Sequence, residues 1–290
     1  MLKHRLLSGT TIIFVLLGAF FMSPMISIPI FSILCLFWIS GGVIELFDIV
    51  EKLGLDGHRD LTLLAGILLF FSTMLAGVMQ ESRFIEYTGG LVIIFYIIAL
   101  FVSEFKTKDK AVSIKRNIVS IGCFIYICWG LNSIAKLYFL CDNGPFLAFF
   151  MIMVTKSSDI GAYFTGTLTA RSKNGNHKMI PNISPKKSWE GFFGGIIASI
   201  ILSLFLYLFF SKSLIVGENQ VIGYFSAILL GVLLASIGFV GDIAVSMMKR
   251  ATQIKDSGSF FPGMGGFLDI LDSLILTAPF FYYYVMLYSS

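Results

Sequence analysis

Nine apolar segments, the first of them short, dominate this chain of 290 residues. They cover about residues 10–22, 25–46, 61–79, 88–105, 117–138, 145–168, 190–211, 221–245 and 266–288. A helix needs roughly 20 mostly apolar residues to cross a bilayer, and it satisfies its own backbone hydrogen bonds there. The pattern therefore predicts an all-α, polytopic integral membrane protein with about nine transmembrane helices.

The composition excludes disorder, a disulfide scaffold and a secreted enzyme. Of the residues, 57% are apolar and 13% are charged, whereas soluble proteins average about 25% charged residues. A water-soluble fold could not hide so much apolar side chain. We therefore expect one membrane domain overall. Residues 1–110 would form about four N-terminal spans, and residues 111–290 would form the C-terminal helices that carry the candidate catalytic motifs.

Basic residues are distributed unevenly between the two sides of this nine-span arrangement. Seventeen of the 21 Lys and Arg residues fall on the side of the N-terminus, three fall on the other side, and Lys156 lies inside the sixth span. Because basic residues accumulate on the cytoplasmic side, the N-terminus is predicted to be cytoplasmic and Ser290 to be outside. The polar connections 169–189 and 246–265 then share the cytoplasmic face, where we expect the chemistry.

Charged side chains inside the apolar segments cost about 2.5–3.5 kcal/mol each on insertion scales, so they usually face a cavity or one another. The residues concerned are Lys156, Asp159, Glu190, Asp242, Asp269 and Asp272. Asp269 and Asp272 are three residues apart and would share one helix face, where they repel unless a cation or proton lies between them. Glu45 and Asp48 lie near the cytoplasmic end of the second segment, and we expect water to solvate both.

Asp242, Asp269 and Asp272 are three carboxylates with no His or Cys cluster beside them. Such a set favours a hard cation such as Mg²⁺. An intramembrane salt-bridge set with Lys156 is the alternative. Five basic residues lie near the same motifs: Lys186, Lys187, Lys249, Arg250 and Lys255. With the glycine-rich stretch 262–266 they could hold a polyphosphate, or they could anchor the loops to anionic lipid. Together, the acidic and basic motifs indicate phosphate chemistry on a lipid.

The C-terminal motifs follow a fixed order and spacing. The order is Ser246, Lys249-Arg250, Lys255-Asp256, Pro262-Gly263-Met264-Gly265-Gly266 and Asp269-Ile270-Leu271-Asp272. This pattern resembles the C-terminal signature of the phosphatidate cytidylyltransferases, with every spacing kept. Upstream, the stretches 159–163 and 183–191 resemble the family's two other characteristic segments, and Gly241-Asp242 completes the set.

The resemblance implies a Mg²⁺-dependent transfer of the cytidylyl group from CTP to phosphatidic acid, which gives CDP-diacylglycerol and pyrophosphate. The implied partners are CTP, phosphatidic acid in the inner or plasma membrane, and a second copy of the chain in a homodimer, with no nucleic acid. The metal ligands would be Asp242 and Asp269. The catalytic residues would be Asp242, Asp269, Asp272, Lys249 and Arg250. The substrate-binding residues would be Asp159, Ser184, Lys186, Lys187, Lys255, Asp256, Gly265 and Gly266.

Two positions depart from the family signature. Met264 stands where the family has His, and Ile270 stands where it has Arg. A thioether cannot donate a hydrogen bond to phosphate, and isoleucine removes a bidentate phosphate partner. A related CTP-dependent lipid enzyme, either a polyprenol kinase or a cytidylyltransferase for another lipid, therefore stays open. A secondary transporter with broken helices is a further alternative, although the sequence has no obvious inverted repeat.

Overall fold

A computed structural model describes residues 2–79, 82–171, 175–216, 219–220 and 222–289. Over these residues the chain is mostly helical. The first helices are α1 (Leu2–Phe21), α2 (Pro24–Lys52), α3 (Arg59–Met79) and α4 (Ser82–Ser103). Helices α5 (Lys110–Cys123) and α6 (Gly130–Leu140) are joined by a π-helical turn, Phe124–Trp129. The later helices are α7 (Gly144–Ala170), α8 (Trp189–Phe210), α9 (Tyr224–Ala251) and α10 (Phe267–Ser289).

Each predicted apolar segment coincides with one of these helices or with the joined stretch α5–α6. Among the described residues, six helical stretches are long and apolar enough to cross a membrane: Pro24–Lys52, Arg59–Met79, Lys110–Leu140, Trp189–Leu214, Tyr224–Ala251 and Phe267–Tyr288. A shorter apolar helix covers Tyr87–Ser103. Helix α7, which carries Lys156 and Asp159, is not among these stretches. The all-α, polytopic membrane fold is confirmed, whereas its orientation stays a prediction and Ser290 lies outside the described residues.

Short strands form two small antiparallel pairs between the helices. Strand β1 (Lys178–Ile180) pairs with β2 (Ser184–Ser188), with Lys178 opposite Ser188. Strand β3 (Ile215–Val216) pairs with β4 (Asn219–Gln220) after a 3₁₀ turn, Ser211–Leu214. Because successive side chains on a strand point to opposite faces, β2 exposes Lys186 and turns Lys187 inward.

The helices fall into two compact units. The first unit comprises Met1–Leu140 and Ala251–Leu271, and the second comprises Cys141–Arg250 and Asp272–Ser290. The expected division into residues 1–110 and 111–290 within one membrane domain stays a prediction.

In the first unit, an ion-pair network joins the α2–α3 connection and the residue that follows α4 to helix α5. Glu104 is buried, and its Oε1 atom lies 2.9 Å from His58 Nε2 and 3.6 Å from Arg116 Nη1. A hydrogen bond from the Thr107 side chain, together with the charges of His58 and Arg116, lowers the pKa of Glu104. This connection therefore depends on an ionised carboxylate.

In the second unit, small residues bring helix backbones together around the charged positions. A Cβ atom at Gly161 of α7 would overlap Ala198 and the Gly194 carbonyl of α8. Likewise, a Cβ atom at Gly241 of α9 would overlap the carbonyl oxygen of Asp272. Close approach through small residues is typical of membrane helices. It places Asp242 beside the start of the α10 segment that belongs to this unit.

Candidate functional site

Lys156 lies among carboxylates in the second unit. Its Nζ atom is 3.2 Å from Asp159 Oδ2 and 3.6 Å from Asp272 Oδ1, and it donates a hydrogen bond of 2.7 Å to Ser273 Oγ. The Ser273 hydroxyl in turn donates to Asp159 Oδ2 at 3.3 Å. The salt-bridge set with Lys156 that the sequence left open is therefore present. Ser273 is a member that the sequence did not single out.

Asp242, near this group, pairs with a second lysine. Lys187 Nζ lies 3.0 Å from Asp242 Oδ2 and 4.4 Å from the centre of the Phe239 ring. Ser246, the serine of the C-terminal signature, donates to Asp242 Oδ1 at 3.3 Å. Asp242 also interacts electrostatically with Lys156 and Asp272. We refer to Lys156, Asp159, Lys187, Asp242 and Asp272 as the lysine–carboxylate cluster.

The lysine–carboxylate cluster unites residues from three separate motifs. Asp159 comes from the stretch 159–163, Lys187 from the stretch 183–191, and Asp242 from Gly241-Asp242. In the same unit, Arg250 near the end of α9 donates through Nε to the Ile183 carbonyl, which precedes β2, at 3.1 Å. The structure therefore brings one residue from each of these three motifs together, and their joint role stays a prediction.

Other predicted binding residues lie outside this cluster. Ser184 is half-buried at the start of β2, and Lys249 is half-buried near the end of α9. The side chains of Lys186, Arg250, Lys255 and Asp256 are exposed. Exposed basic side chains at a predicted membrane surface can reach a phosphate in solution or on a lipid headgroup.

In the first unit, Asp269 is held at the first turn of α10. Its Oδ2 atom accepts hydrogen bonds from the backbone N–H groups of Gly266 and Ser257, each at 2.9 Å, and lies 3.0 Å from Ser257 Oγ. A carboxylate in the first turn also interacts favourably with the helix dipole. The loop therefore fixes the direction of this side chain.

Glycines are required where the loop turns back on Asp269. The backbone of Phe261 exchanges hydrogen bonds with Gly265, which closes the turn around Met264. Gly265 has a φ of 99°, and a Cβ atom there would overlap the Asp269 carboxylate. Only glycine combines this conformation with this approach. The side chain of Met264 is exposed at the tip of the turn.

Glu45 of α2 belongs to the same group, contrary to the expectation that water would solvate it. It is only 7% exposed, and its Oε2 atom accepts hydrogen bonds from Ser257 Oγ at 2.8 Å and from the backbone N–H of Leu268 at 3.0 Å. The prediction was wrong because the signature loop covers this end of α2. Asp48, one turn further, keeps the expected exposure and pairs with Arg59 at 2.7 Å.

Glu190 and Trp189 begin α8 beside the β1–β2 hairpin. Glu190 Oε1 lies 2.6 Å from His177 Nδ1, and its carboxylate accepts the backbone N–H of His177. Glu190 thus holds His177, the residue before β1, against the start of α8. Trp189 is about half exposed, and its ring stacks on that of Phe193.

No group of three or more His, Cys, Asp and Glu side chains that could hold a metal ion is present among the described residues. The nearest cations to Asp159, Asp242 and Asp272 are lysines. Three carboxylates nevertheless outnumber the two ammonium groups of the lysine–carboxylate cluster, and all of its anionic donors are oxygens. Mg²⁺ usually takes one or two protein carboxylates together with substrate phosphates and water, so this donor chemistry fits it.

Comparisons with known proteins agree on one family. A model described as the cytidylyltransferase family matches residues 3–288. A phosphatidate cytidylyltransferase of Haemophilus influenzae is 39% identical over 142 residues, which are 49% of this chain and 46% of the relative. The uncharacterized Escherichia coli protein YnbB is 38% identical over 144 residues, 50% of this chain and 44% of that protein. A phosphatidate cytidylyltransferase of Chlamydia muridarum is 40% identical over 168 residues, 57% and 50% of the two chains. The chain spans about half the length of these curated relatives.

Proposed function

This chain belongs to the cytidylyltransferase family, and we propose that it transfers the cytidylyl group of CTP to phosphatidic acid, giving CDP-diacylglycerol and pyrophosphate. The observation that carries the proposal is the assembly of the signature residues. Separate motifs contribute Asp159, Lys187 and Asp242 to one cluster, and the glycine loop orients Asp269. The Haemophilus and Chlamydia relatives, both phosphatidate cytidylyltransferases by name, support the same reaction.

The proposed reaction is an in-line displacement at the α-phosphorus of CTP. A phosphate oxygen of phosphatidic acid forms the new P–O bond, and the bond between the α-phosphorus and the bridging oxygen breaks as pyrophosphate leaves. Phosphatidic acid is already ionised near neutral pH, so the attacking oxygen needs no general base. The reaction depends on alignment and on neutralising the charge of the reacting phosphates.

Lys187 is suited to that neutralisation because its ammonium group is buried against Asp242 and so has lost most of its water. A charge in such a place interacts strongly with a phosphate. We propose that Lys187 and Lys186 bind the phosphates of CTP, and that Lys249, Arg250 and Lys255 complete the basic surface for CTP and the lipid phosphate. Asp159, Ser184, Asp256, Gly265 and Gly266 are the other proposed substrate-binding residues.

Mg²⁺ is the proposed cofactor, with Asp242 and Asp269 as its protein ligands and Asp272 as a further ligand or an orienting group. When bound, the ion would neutralise phosphate charge and favour the departure of pyrophosphate. The oxygen-only donor set and the excess of carboxylates over lysines in the cluster support Asp242 and Asp272 in this role, whereas Asp269 is proposed on the family resemblance alone. We also propose that the protein resides in the inner or plasma membrane as a homodimer, as the family resemblance implies.

A second candidate is the same chemistry on another lipid acceptor. It is favoured by Met264 and Ile270, which remove two polar side chains from the signature while the carboxylates and lysines are kept. If those side chains contacted the lipid phosphate in other members, their loss would alter acceptor choice more than CTP binding.

The test is pyrophosphate release by the purified full-length protein in detergent with CTP and Mg²⁺. Phosphatidic acid, a polyprenol, a polyprenyl phosphate and no lipid are compared as acceptors. We expect release with phosphatidic acid and none without lipid. Asp242→Asn and Asp269→Asn should abolish release without preventing membrane insertion, because only a charge is removed. Release of CDP with a polyprenol would instead identify a kinase and contradict the proposal.

A further inference from the structure

Glu45 is a buried carboxylate that the reaction outlined above does not use. Burying an ionised group is unfavourable unless hydrogen bonds or opposite charges compensate it. At Glu45 the compensation comes from a segment more than two hundred positions away in sequence, through Ser257 and the backbone of Leu268. The contacts are therefore specific to this fold and do not arise from local helix chemistry.

Glycines allow the loop backbone to lie directly on the Glu45 carboxylate. A Cβ atom at Gly258 would overlap Glu45 Oε1, and one at Gly266 would overlap both carboxylate oxygens. Neither glycine has a positive φ, so close approach, and not backbone conformation, excludes a side chain at these positions. Gly266 also donates its N–H to Asp269, which makes it a neighbour of both carboxylates.

The Ser257 hydroxyl stands between the two carboxylates, 2.8 Å from Glu45 Oε2 and 3.0 Å from Asp269 Oδ2. We propose that Glu45 is a positioning residue for Asp269. It fixes Ser257 and the first turn of α10, and these in turn fix the direction of the signature carboxylate. The inference rests on the proposed function, in which Asp269 serves cytidylyl transfer.

The loop has other attachments to α2, so loss of Glu45 should loosen Asp269 without releasing the whole loop. The Trp38 ring stacks on Phe261 at 5.4 Å, and the Phe37 ring meets Phe267 at 4.8 Å. These aromatic contacts do not involve Asp269 or its hydrogen-bond donors. A positioning effect on the reaction can therefore be separated from a general effect on folding.

The first experiment compares Glu45→Gln, Glu45→Asp and Glu45→Ala in the full-length protein. A Gln amide oxygen can accept both hydrogen bonds, so we expect that kcat stays within about threefold of the wild type. Asp is one methylene shorter and Ala has no acceptor, so in both variants kcat should fall about ten- to hundredfold and the Mg²⁺ requirement should rise. The KM for CTP should not change. Asp48→Asn, one turn along α2, is the matched control and should behave as the wild type.

The second experiment uses the contact between Gly266 and Glu45. Gly266→Ala places a methyl group against the carboxylate and should lower kcat in the wild-type background. In the Glu45→Ala background the overlap is absent, so Gly266→Ala should lower kcat much less than it does in the wild type. The effects of the two substitutions on kcat should therefore be non-additive. An equal decrease in kcat on Gly266→Ala in both backgrounds would overturn the proposed contact.

The third measurement is amide hydrogen exchange of residues 257–268 in the full-length protein, which does not require activity. We expect faster exchange in Glu45→Ala than in the wild type, with no change in Asp48→Asn. Unchanged exchange would overturn the positioning role, and so would a Gln variant as impaired as the Ala variant. A wild type that makes no CDP-lipid would refute the proposed function instead, and exchange would still decide whether Glu45 holds the loop.

Discussion

The partly buried ion pair between Lys187 and Asp242 offers the sharpest prediction about the lysine–carboxylate cluster. The perturbation is Lys187→Met, which keeps an unbranched side chain over the Phe239 ring and removes the charge. At a separation of 3.0 Å, two unit charges attract by about 5 kcal/mol at an effective dielectric constant of about 20. Desolvation of Lys187 offsets much of this, and Asp242 stays 33% exposed, so we expect a net coupling of about 1–2 kcal/mol.

The effect on catalysis should be larger than the effect on stability. If Lys187 neutralises phosphate charge in the transition state, its loss costs about 2–4 kcal/mol, or roughly thirty- to a thousandfold in rate. The assay is the rate of CDP-lipid formation, measured beside thermal unfolding in detergent. Lys178→Met, on the paired strand β1, is the matched control because Lys178 is exposed and carries no proposed function.

Combination with Asp242→Asn separates a catalytic charge from a structural one. A purely structural pair predicts that the double variant recovers stability and activity together, since no unpaired charge is left. Our proposal predicts that stability recovers in part while activity stays lost. Near-normal kcat/KM in Lys187→Met, with the control unaffected, would refute the assignment of Lys187 to the phosphates.

Three further predictions follow from other parts of the chain. Cysteines introduced at Lys108 and Lys178 should both react with a membrane-impermeant label from the cytoplasmic side, and labelling from opposite faces would refute the nine-span arrangement. Folding lowers the pKa of Glu104 below its ordinary value of about 4.5, so its contribution to stability is present above that pH and is lost as the pH falls through the lower value. Glu104→Gln should accordingly lower Tm at neutral pH, and the difference from the wild type should shrink on acidification. Met264→His combined with Ile270→Arg should raise cytidylyl transfer to phosphatidic acid, and no gain on phosphatidic acid beside full wild-type activity on another lipid would contradict the acceptor assignment.

The sequence predicts the helices well because few backbone conformations satisfy their hydrogen bonds inside a bilayer. A long apolar run must satisfy its backbone internally, so each such run became a helix. Local signals also predicted the start of α10, where Asp269 follows a glycine-rich stretch. The π-helical turn Phe124–Trp129 interrupts the fifth segment. The turn contains no proline or glycine, so local sequence signals did not predict it.

Side-chain partners were harder to predict because they depend on which helices pack together. Glu45 looked solvated from its place near a helix end, and its burial follows from a loop that lies far away in sequence. Spacing placed Asp269 and Asp272 on one helix face but did not predict their partners, which are the glycine loop for Asp269 and Lys156 for Asp272. Gly258 and Gly266 were the sequence signal of this contact, because the backbone at both positions approaches the Glu45 carboxylate too closely for a side chain.

The most direct test of the proposed reaction is to follow which phosphorus of CTP enters the lipid. The full-length protein is incubated with phosphatidic acid and Mg²⁺, and with CTP labelled at either the α- or the γ-phosphorus. Cytidylyl transfer predicts that the α label appears in a CDP-lipid and that the γ label leaves as pyrophosphate. Appearance of the γ label in the lipid, with CDP as the second product, would contradict the proposed function.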